Sequence, residues 1–178
     1  MSNLRFVKQE KSTSAVATMK VEDCFSADYD IYQVSVFDTQ YGPSNTDVAA
    51  LRVRFINSSG SPITTLYDAM NMNMKADATK DEDKFQDGAY FYSPVNIGNY
   101  ENAGGMMYIY NPFSSSCHTV MTGEGAGGYD VSSNRGRSSK CAGFCKHLSS
   151  VTGIELYSGN ASNTFQATVT VHGLRVDS

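Results

Sequence analysis

The sequence lacks several features that would place a protein in a familiar class at once. It has no tryptophan, and charged residues make up 18% of its 178 positions, below the roughly 25% that is usual in globular domains. No segment approaches the roughly 18 consecutive apolar residues of a membrane span, and the N-terminal MSNLRFVKQEKSTSAVATMK lacks the apolar run of a signal peptide. We therefore expect a protein that is made in a cytoplasm and has no membrane partner.

Helical periodicity is nearly absent as well. The one candidate helix is TTLYDAMNMNMKADATKDEDKF, in which Leu66, Met70 and Met74 are four residues apart, although NMNM alternates equally well as a strand. The segment ATKDEDKFQDG has the composition of a solvated acidic loop. Because strands and helices do not alternate along the chain, a parallel sheet would have no crossover helices.

What the sequence does contain is alternation of apolar and polar residues, which indicates half-buried strands. In ALRVRFINSSG, Leu51, Val53 and Phe55 alternate with Arg52 and Arg54 before a turn. TFQATVTVHGL repeats the pattern, and YDIYQVSVF, MMYIYNP, CHTVMTG, VTGIELYSGN and AVATMKV carry weaker versions of it.

These strands predict an all-β fold, an antiparallel two-sheet β-sandwich of jelly-roll type with at most one short helix. At this length we expect one such domain over residues 16–178, preceded by an N-terminal arm over residues 1–15. The residues predicted to face the core are Leu51, Val53, Phe55, Phe165, Val169 and Val171.

The stretch MTGEGAGGYDVSSNRGRSSK places Gly123, Gly125 and Gly128 at the G-x-G-x-x-G spacing of dinucleotide-binding loops. That motif holds a pyrophosphate where a strand precedes the glycines and a helix leaves them. No apolar helical face follows the glycines here. We therefore predict that no cofactor binds, and that the residues from Gly123 to Ser139 form an extended loop.

Cysteine and histidine offer a second kind of site. Cys117, His118, Cys141, Cys145 and His147 include soft metal ligands, but CAGFCKH lies just outside the paired C-x-x-C spacing of common structural zinc sites. A zinc site, a disulfide within this set and buried thiols that pack as small apolar residues are all open. No metal is therefore assigned.

No residue pattern in the sequence indicates catalysis. The histidines have no evident nucleophilic partner, SSSCH is not a nucleophile elbow, and the carboxylates of KDEDKFQDG lack the order of an EF-hand. The sequence therefore predicts that the protein is not an enzyme. Its formal net charge of −4 argues against a nucleic-acid partner, because nucleic-acid-binding domains usually carry a basic stripe.

Four segments, read in order, form a distinctive set: YDIYQVSVFDT, LRVRFINSSGSP, MYIYNPFSSS and VTGIELYSGNASNTFQATVTVHGL. This set resembles small virion-associated proteins of tailed bacteriophages, especially marine and cyanobacterial ones, from about Asp23 to Leu174. The basic insert from Arg135 to Lys146, with its cysteine pair, departs from the pattern. The matching positions are Tyr29, Asp30, Tyr32, Tyr108 to Ser115, Val151, Ile154, Leu156, Tyr157, Ser158, Gly159, Asn160, Phe165 and Gly173.

The resemblance implies a virion structural protein that is made in the host cytoplasm. The leading interpretation is a capsid decoration or cement protein, which stabilises the shell by bridging capsid subunits. Its partners would be the major capsid protein or other virion proteins, and it would form a homo-oligomer, with a trimer favoured. A tail component (fibre, baseplate or adaptor) and a host-glycan-binding module are the alternatives.

Two groups of residues are candidates for the contacts of such a protein. Leu4, Phe6 and Val7 would be exposed apolar groups on the predicted N-terminal arm. Arg135 and Arg137 make the region beside the glycine-rich stretch locally basic, so that it either docks on an acidic neighbour or is simply solvated.

Overall fold

A computed structural model of the chain describes residues 3–42, 49–76, 79–97, 102–130 and 135–174. All regular secondary structure in these ranges is β-strand, and they contain no helix long and apolar enough to span a membrane. The strands are β1 (Leu4–Lys11), β2 (Thr18–Val21), β3 (Ile31–Tyr41), β4 (Ala49–Asn57), β5 (Tyr67–Lys75), β6 (Lys80–Gly88), β7 (Phe91–Ile97), β8 (Ala103–Tyr110), β9 (Thr119–Asp130), β10 (Arg135–Cys145), β11 (Val151–Ser158) and β12 (Phe165–Leu174).

The strands form two antiparallel sheets that pack face to face. The large sheet has eight strands in the order β1-β12-β3-β8-β9-β10-β5-β6, and the small sheet has four in the order β2-β11-β4-β7. Some strands that follow each other in the chain are paired, namely β5 with β6, β8 with β9 and β9 with β10, whereas β12 returns from the end of the chain to pair with β3. The predicted β-sandwich of jelly-roll type is confirmed.

The core lies between the two sheets and follows the alternation read from the sequence. Leu51, Val53 and Phe55 of β4 are fully buried. The ring of Phe91 contacts those of Phe55 and Tyr67 edge to face, with centroids 5.2 and 4.8 Å apart. The predicted core residues of β12 are buried as well: Phe165, Val169 and Val171.

The segment predicted as a helix or a strand followed by an acidic loop is the β5–β6 hairpin. Its period is two, but the polarity of β5 is partly inverted. The inward residues are Tyr67, Ala69, Asn71 and Asn73, and the outward residues include Met70, Met72 and Met74. The acidic segment, predicted as a loop, is β6 at the edge of the sheet, where charged side chains discourage pairing with another chain.

A buried polar cluster explains why Asn73 occupies an inward position of β5. Asn73 Oδ1 accepts a hydrogen bond from Ser139 Oγ at 2.5 Å, and Asn96 Nδ2 donates to Ser139 Oγ at 2.5 Å. The three residues come from β5, β10 and β7, so that the cluster joins the large sheet to the small one. Buried polar groups are tolerated where such partners are present.

The glycine-rich stretch, predicted as an extended loop from Gly123 to Ser139, lies within β9 and β10, except for residues 131–134, which lie outside the described residues. The prediction was wrong because two glycines of β9, Gly125 and Gly127, serve close packing against the backbone of β7. A Cβ added to Gly125 would lie 2.7 Å from the carbonyl oxygen of Pro94, and one added to Gly105 would lie 2.9 Å from Val95 Cγ2. Glycine therefore allows β7 to approach the large sheet closely.

The segment predicted as an unpaired N-terminal arm contains β1, which pairs with β12 from Leu4 to Lys11. Its pairing register shifts between Phe6 and Lys8. Such a bulge interrupts the period of two on which a strand prediction depends. Leu4 and Phe6 are exposed, whereas Val7 is half-buried and packs against the core.

Candidate functional site

The outer face of the small sheet carries a group of polar and aromatic side chains, which we call the arginine–tyrosine cluster. Its arginines occupy outward positions of β4 because the residues between them fill the core. β7 and the residue before it supply two tyrosines, and β11 supplies a glutamate and a third tyrosine. The members are Arg52, Arg54, Tyr90, Tyr92, Glu155 and Tyr157.

Pairing between the strands brings the cluster together. Arg52 lies opposite Tyr157 of β11 and opposite Tyr92 of β7. The Cζ atom of Arg52 lies 4.0 Å from the ring centroid of Tyr90, and that of Arg54 lies 4.2 Å from the ring centroid of Tyr157. Both distances are within the range of a cation–π interaction.

The two arginines differ in their charge partners. Arg54 Nη1 lies 3.5 Å from Glu155 Oε1, and Arg54 Nε donates to the carbonyl oxygen of Ala89 at 3.0 Å. Because Glu155 is 5% exposed, its carboxylate requires this partner. No carboxylate in the described ranges forms an ion pair with Arg52.

The hydroxyl groups of Tyr92 and Tyr157 stay neutral across the physiological range. Burial, with the neighbouring Tyr90, raises the pKa of Tyr92 to about 12. Burial also raises the pKa of Tyr157, although the charges of Arg54 and Arg52 oppose that shift. Both hydroxyls therefore remain able to donate as well as to accept a hydrogen bond.

The outer face of the large sheet has a different character. It exposes large apolar side chains, which we call the methionine face: Phe6, Phe37, Met70, Met72, Met74 and Phe144. Phe6 is 64% exposed and Met70 is 52% exposed. Met70, Met72 and Phe144 point outward because the residues on either side of them in their strands are buried.

Shallow grooves mark the part of this face formed by β10, β5 and β6. A groove of about 570 Å³ is lined by Asp68, Ala69, Met70, Lys84, Phe85, Gln86 and Phe144. Another of about 400 Å³ lies along Met70 and Met72 and is bordered by Glu82, Lys84 and Lys140. The methionine side chains therefore line hollows rimmed by charges of both signs.

The predicted interface residues fall at two separate places. Phe6 of β1 belongs to the methionine face, and Leu4 is exposed in the same strand, whereas Val7 is half-buried. Arg135 and Arg137 lie in β10, with β12, β3, β8 and β9 between them and β1. Neighbouring strands are about 4.8 Å apart, so about 24 Å separates the two groups.

The two arginines of β10 are placed as follows. In the backbone register of the large sheet, Arg135 lies opposite Asp130 of β9. Arg137 lies between Gly127 of β9 and Lys75 of β5. Arg137 is half-buried beside a cleft of about 720 Å³ that Lys75 also lines. Lys140 of the same strand has Glu124 of β9 at 3.8 Å, so part of the local positive charge is balanced. The segment belongs to a strand pair rather than to an extended loop.

The cysteines all carry free thiols. Burial raises the pKa of Cys141 to about 12 and also raises the pKa of Cys145, whereas Cys117 is exposed. In the part of the chain that the structure describes, no three His, Cys, Asp or Glu side chains come together as a metal-binding group. Because the thiols are free, the disulfide that the sequence left open is not formed.

The sequence did not indicate the arginine–tyrosine cluster as a candidate site, and of the methionine face it indicated only Phe6. The alternation of Arg52 and Arg54 in LRVRF was visible, but their tyrosine neighbours come from other strands. The alternating methionines of NMNM were visible too, yet the sequence does not show that the asparagines point inward. Apolar residues at the outward positions of a strand are the signal that would have revealed the methionine face.

No family model matches the chain, and no curated protein matches it. A solved structure of a family 7 alginate lyase A1-II' variant in complex with substrate is 11% identical, with 95% of this chain and 85% of that chain covered and a TM-score of 0.30. A second structure of alginate lyase A1-II' is 11% identical over 83% of this chain and 64% of that chain, with a TM-score of 0.29. A structure of infectious bursal disease virus, Gx strain, is 8% identical, with 98% of this chain and 39% of that chain covered and a TM-score of 0.15.

This comparison overturns the prediction that the protein is not an enzyme, because the first two matches are named as lyases. The prediction rested on the absence of a catalytic pattern in the sequence, and side chains that lie far apart in a sequence can meet on a β-sheet. The similarity concerns the fold alone and assigns no activity, substrate or residue role to this chain.

Proposed function

We propose that the protein is a structural subunit of a virion, with capsid decoration as the leading role, and that it docks on a neighbouring virion protein through the methionine face. The observation that carries this proposal is the exposure of large apolar side chains, Phe6 and Phe144 among them, on one face of the large sheet. Exposed apolar surface of this kind is typical of protein–protein contacts.

The composition of the face suits a contact between proteins. Met70, Met72 and Met74 follow each other along β5, and methionine adapts its shape to a partner because its side chain is unbranched and polarizable. Each side chain is already partly covered, so that burying the rest contributes on the order of 1 kcal/mol per residue. The charged rim formed by Glu82 and Lys84 keeps the face soluble before docking.

In this role the protein acts by adding buried area across a seam between shell subunits. A stable contact usually buries about 1,200–2,000 Å² in total. Because shell sites repeat, many weak contacts that are held together stabilise the particle even when each one binds poorly. No covalent step is required for this effect.

The partner in this proposal is the major capsid protein or another virion protein, and a homo-oligomer, with a trimer favoured, matches the symmetry of shell sites. The ordered sequence resemblance to phage virion proteins supports it. A tail component would dock through the same face. The methionine face can bind a complementary apolar surface whether that surface belongs to the capsid or to the tail.

The proposal is tested by replacing the methionines together, Met70→Gln, Met72→Gln and Met74→Gln, and measuring occupancy on purified particles by quantitative mass spectrometry. The matched control is Leu148→Gln, which removes an equally exposed apolar side chain from the loop after β10. Circular dichroism establishes that each variant is folded. We expect the triple variant to lose at least tenfold in occupancy and the control to lose less than twofold.

Two results would contradict the proposal. One is a folded triple variant that occupies particles as the unmodified protein does. The other is the absence of the chain from purified particles. Copies confined to the tail would select the tail component over the decoration protein.

A further inference from the structure

The arginine–tyrosine cluster contains a guanidinium group that is held in place without a charge partner. Arg52 stacks on Tyr90, and a Cβ added to Gly159 would lie 3.1 Å from Arg52 Nε, so that the glycine leaves room for the guanidinium group. No carboxylate of the described residues forms an ion pair with it. The group is therefore positioned before any ligand arrives, which lowers the entropic cost of binding.

The neighbouring arginine shows what a structural role looks like on the same strand. Arg54 pairs with the buried Glu155 and donates to the carbonyl oxygen of Ala89. Its charge is therefore balanced within the fold. Lys20 of β2, on the same face, has Glu22 at 3.7 Å. Arg52 differs from both because its charge is available to a ligand.

The surroundings of Arg52 indicate the class of ligand. A planar guanidinium group matches the two oxygens of a carboxylate or sulfate group. Tyr90, Tyr92 and Tyr157 lie half-buried around it, and their rings offer surface that suits the C–H faces of a sugar. The neutral hydroxyl group of Tyr92 suits a sugar hydroxyl. A ligand that consisted of a carboxylate or sulfate group alone would leave the three tyrosine rings beside the arginine without a contact.

We infer that the outer face of the small sheet binds an anionic saccharide, with Arg52 pairing with its acidic group and the tyrosines contacting its rings. This face lies on the opposite side of the sandwich from the methionine face. Phe85, which lines a groove of the methionine face, contacts the rings of Tyr90 and Tyr92, so the two surfaces adjoin at the edge formed by β6 and β7. The inference does not depend on the proposed virion role.

The test uses three polymers that share one backbone: dextran, carboxymethyl dextran and dextran sulfate. Affinity electrophoresis of the full chain in gels that contain each polymer measures the apparent dissociation constant. Polyglutamate serves as a polyanion without sugar rings. We expect retardation by at least one of the two anionic dextrans, at least tenfold weaker retardation by dextran, and at least tenfold weaker binding to polyglutamate. Which anionic dextran binds more tightly identifies the acidic group as carboxylate or sulfate.

Variants assign the binding to Arg52. Arg52→Gln is expected to weaken binding at least tenfold, and Arg52→Lys, which keeps the charge but loses the planar fork, at least threefold. Lys20→Gln, which removes one positive charge from the same face, is expected to change binding less than twofold. Circular dichroism establishes folding, and Arg52→Lys carries the test if Arg52→Gln does not fold.

Three outcomes would overturn the inference. The first is no retardation by either anionic dextran. The second is polyglutamate binding as tight as that of the anionic dextrans, which would reduce the effect to charge. The third is an equal loss from the Arg52 and Lys20 variants, which would show that the guanidinium group has no particular role.

Discussion

Gly125→Ala tests the packing of the two sheets with a single methyl group. The added Cβ would lie 2.7 Å from the Pro94 carbonyl oxygen, 2.9 Å from the Gly104 carbonyl oxygen and 3.0 Å from Gly105 Cα. All three atoms belong to the backbone, so no side chain can rotate away. We expect the forced shift of β7 or β8 to cost roughly 1–3 kcal/mol of the free energy of unfolding.

Gly136→Ala in the neighbouring strand β10 is the matched control. Nothing lies within 4 Å of a Cβ added there. The substitution should therefore stabilise the protein slightly, by about 0.4–1 kcal/mol, because it restricts the unfolded chain. The same entropic gain applies to Gly125→Ala, so the difference between the two variants isolates the steric term.

Urea denaturation of both variants measures this difference, and thermal melts should move by roughly 2–4 °C for each kcal/mol in a chain of this size. We expect Gly125→Ala to be less stable than Gly136→Ala by at least about 1 kcal/mol. Equal stability of the two variants would refute it, because β7 would then not depend on glycine for its approach to the large sheet.

Two further predictions address the core and the tyrosines. Phe165→Ala should lower the free energy of unfolding by roughly 3–5 kcal/mol, since Phe165 is 1% exposed; a loss below about 1 kcal/mol in urea denaturation would contradict its place in the core. Because burial raises the pKa of Tyr92 from 10.0 to about 12, the folded state holds this proton more tightly, and its contribution to stability is present below pH 10 and is lost as the pH rises towards 12. Absorbance titration should show a late ionisation that is absent from Tyr92→Phe, and identical titration curves for the two proteins would argue against the shift.

The sequence predicted the fold where apolar residues mark the inward side of a strand. Leu51, Val53 and Phe55 are such a case, and the matching strand β12 was recognised for the same reason. The prediction left β5 open between helix and strand and ended the strand at Gly123 within β9, because the inward residues there are asparagine and glycine. Asn73 is inward because Ser139 and Asn96 satisfy it, and none of these partners is close to it in the sequence.

The candidate sites were less predictable than the fold because they depend on the order of strands. Arg52 meets Tyr90 and Tyr157 across two different strand pairs. A period of two gives the face on which a side chain lies, but it does not give its neighbours. The predicted interface residue Phe6 was identified as exposed from its place in the sequence, although its strand pairs with β12 rather than forming an arm.

A density map of purified particles locates the chain in the virion and shows which of its faces is covered. If the protein docks as proposed, the methionine face lies against a neighbouring virion protein, and Met70, Met72 and Met74 are buried in the contact. A particle in which those methionines face solvent while another surface makes the contact would contradict it.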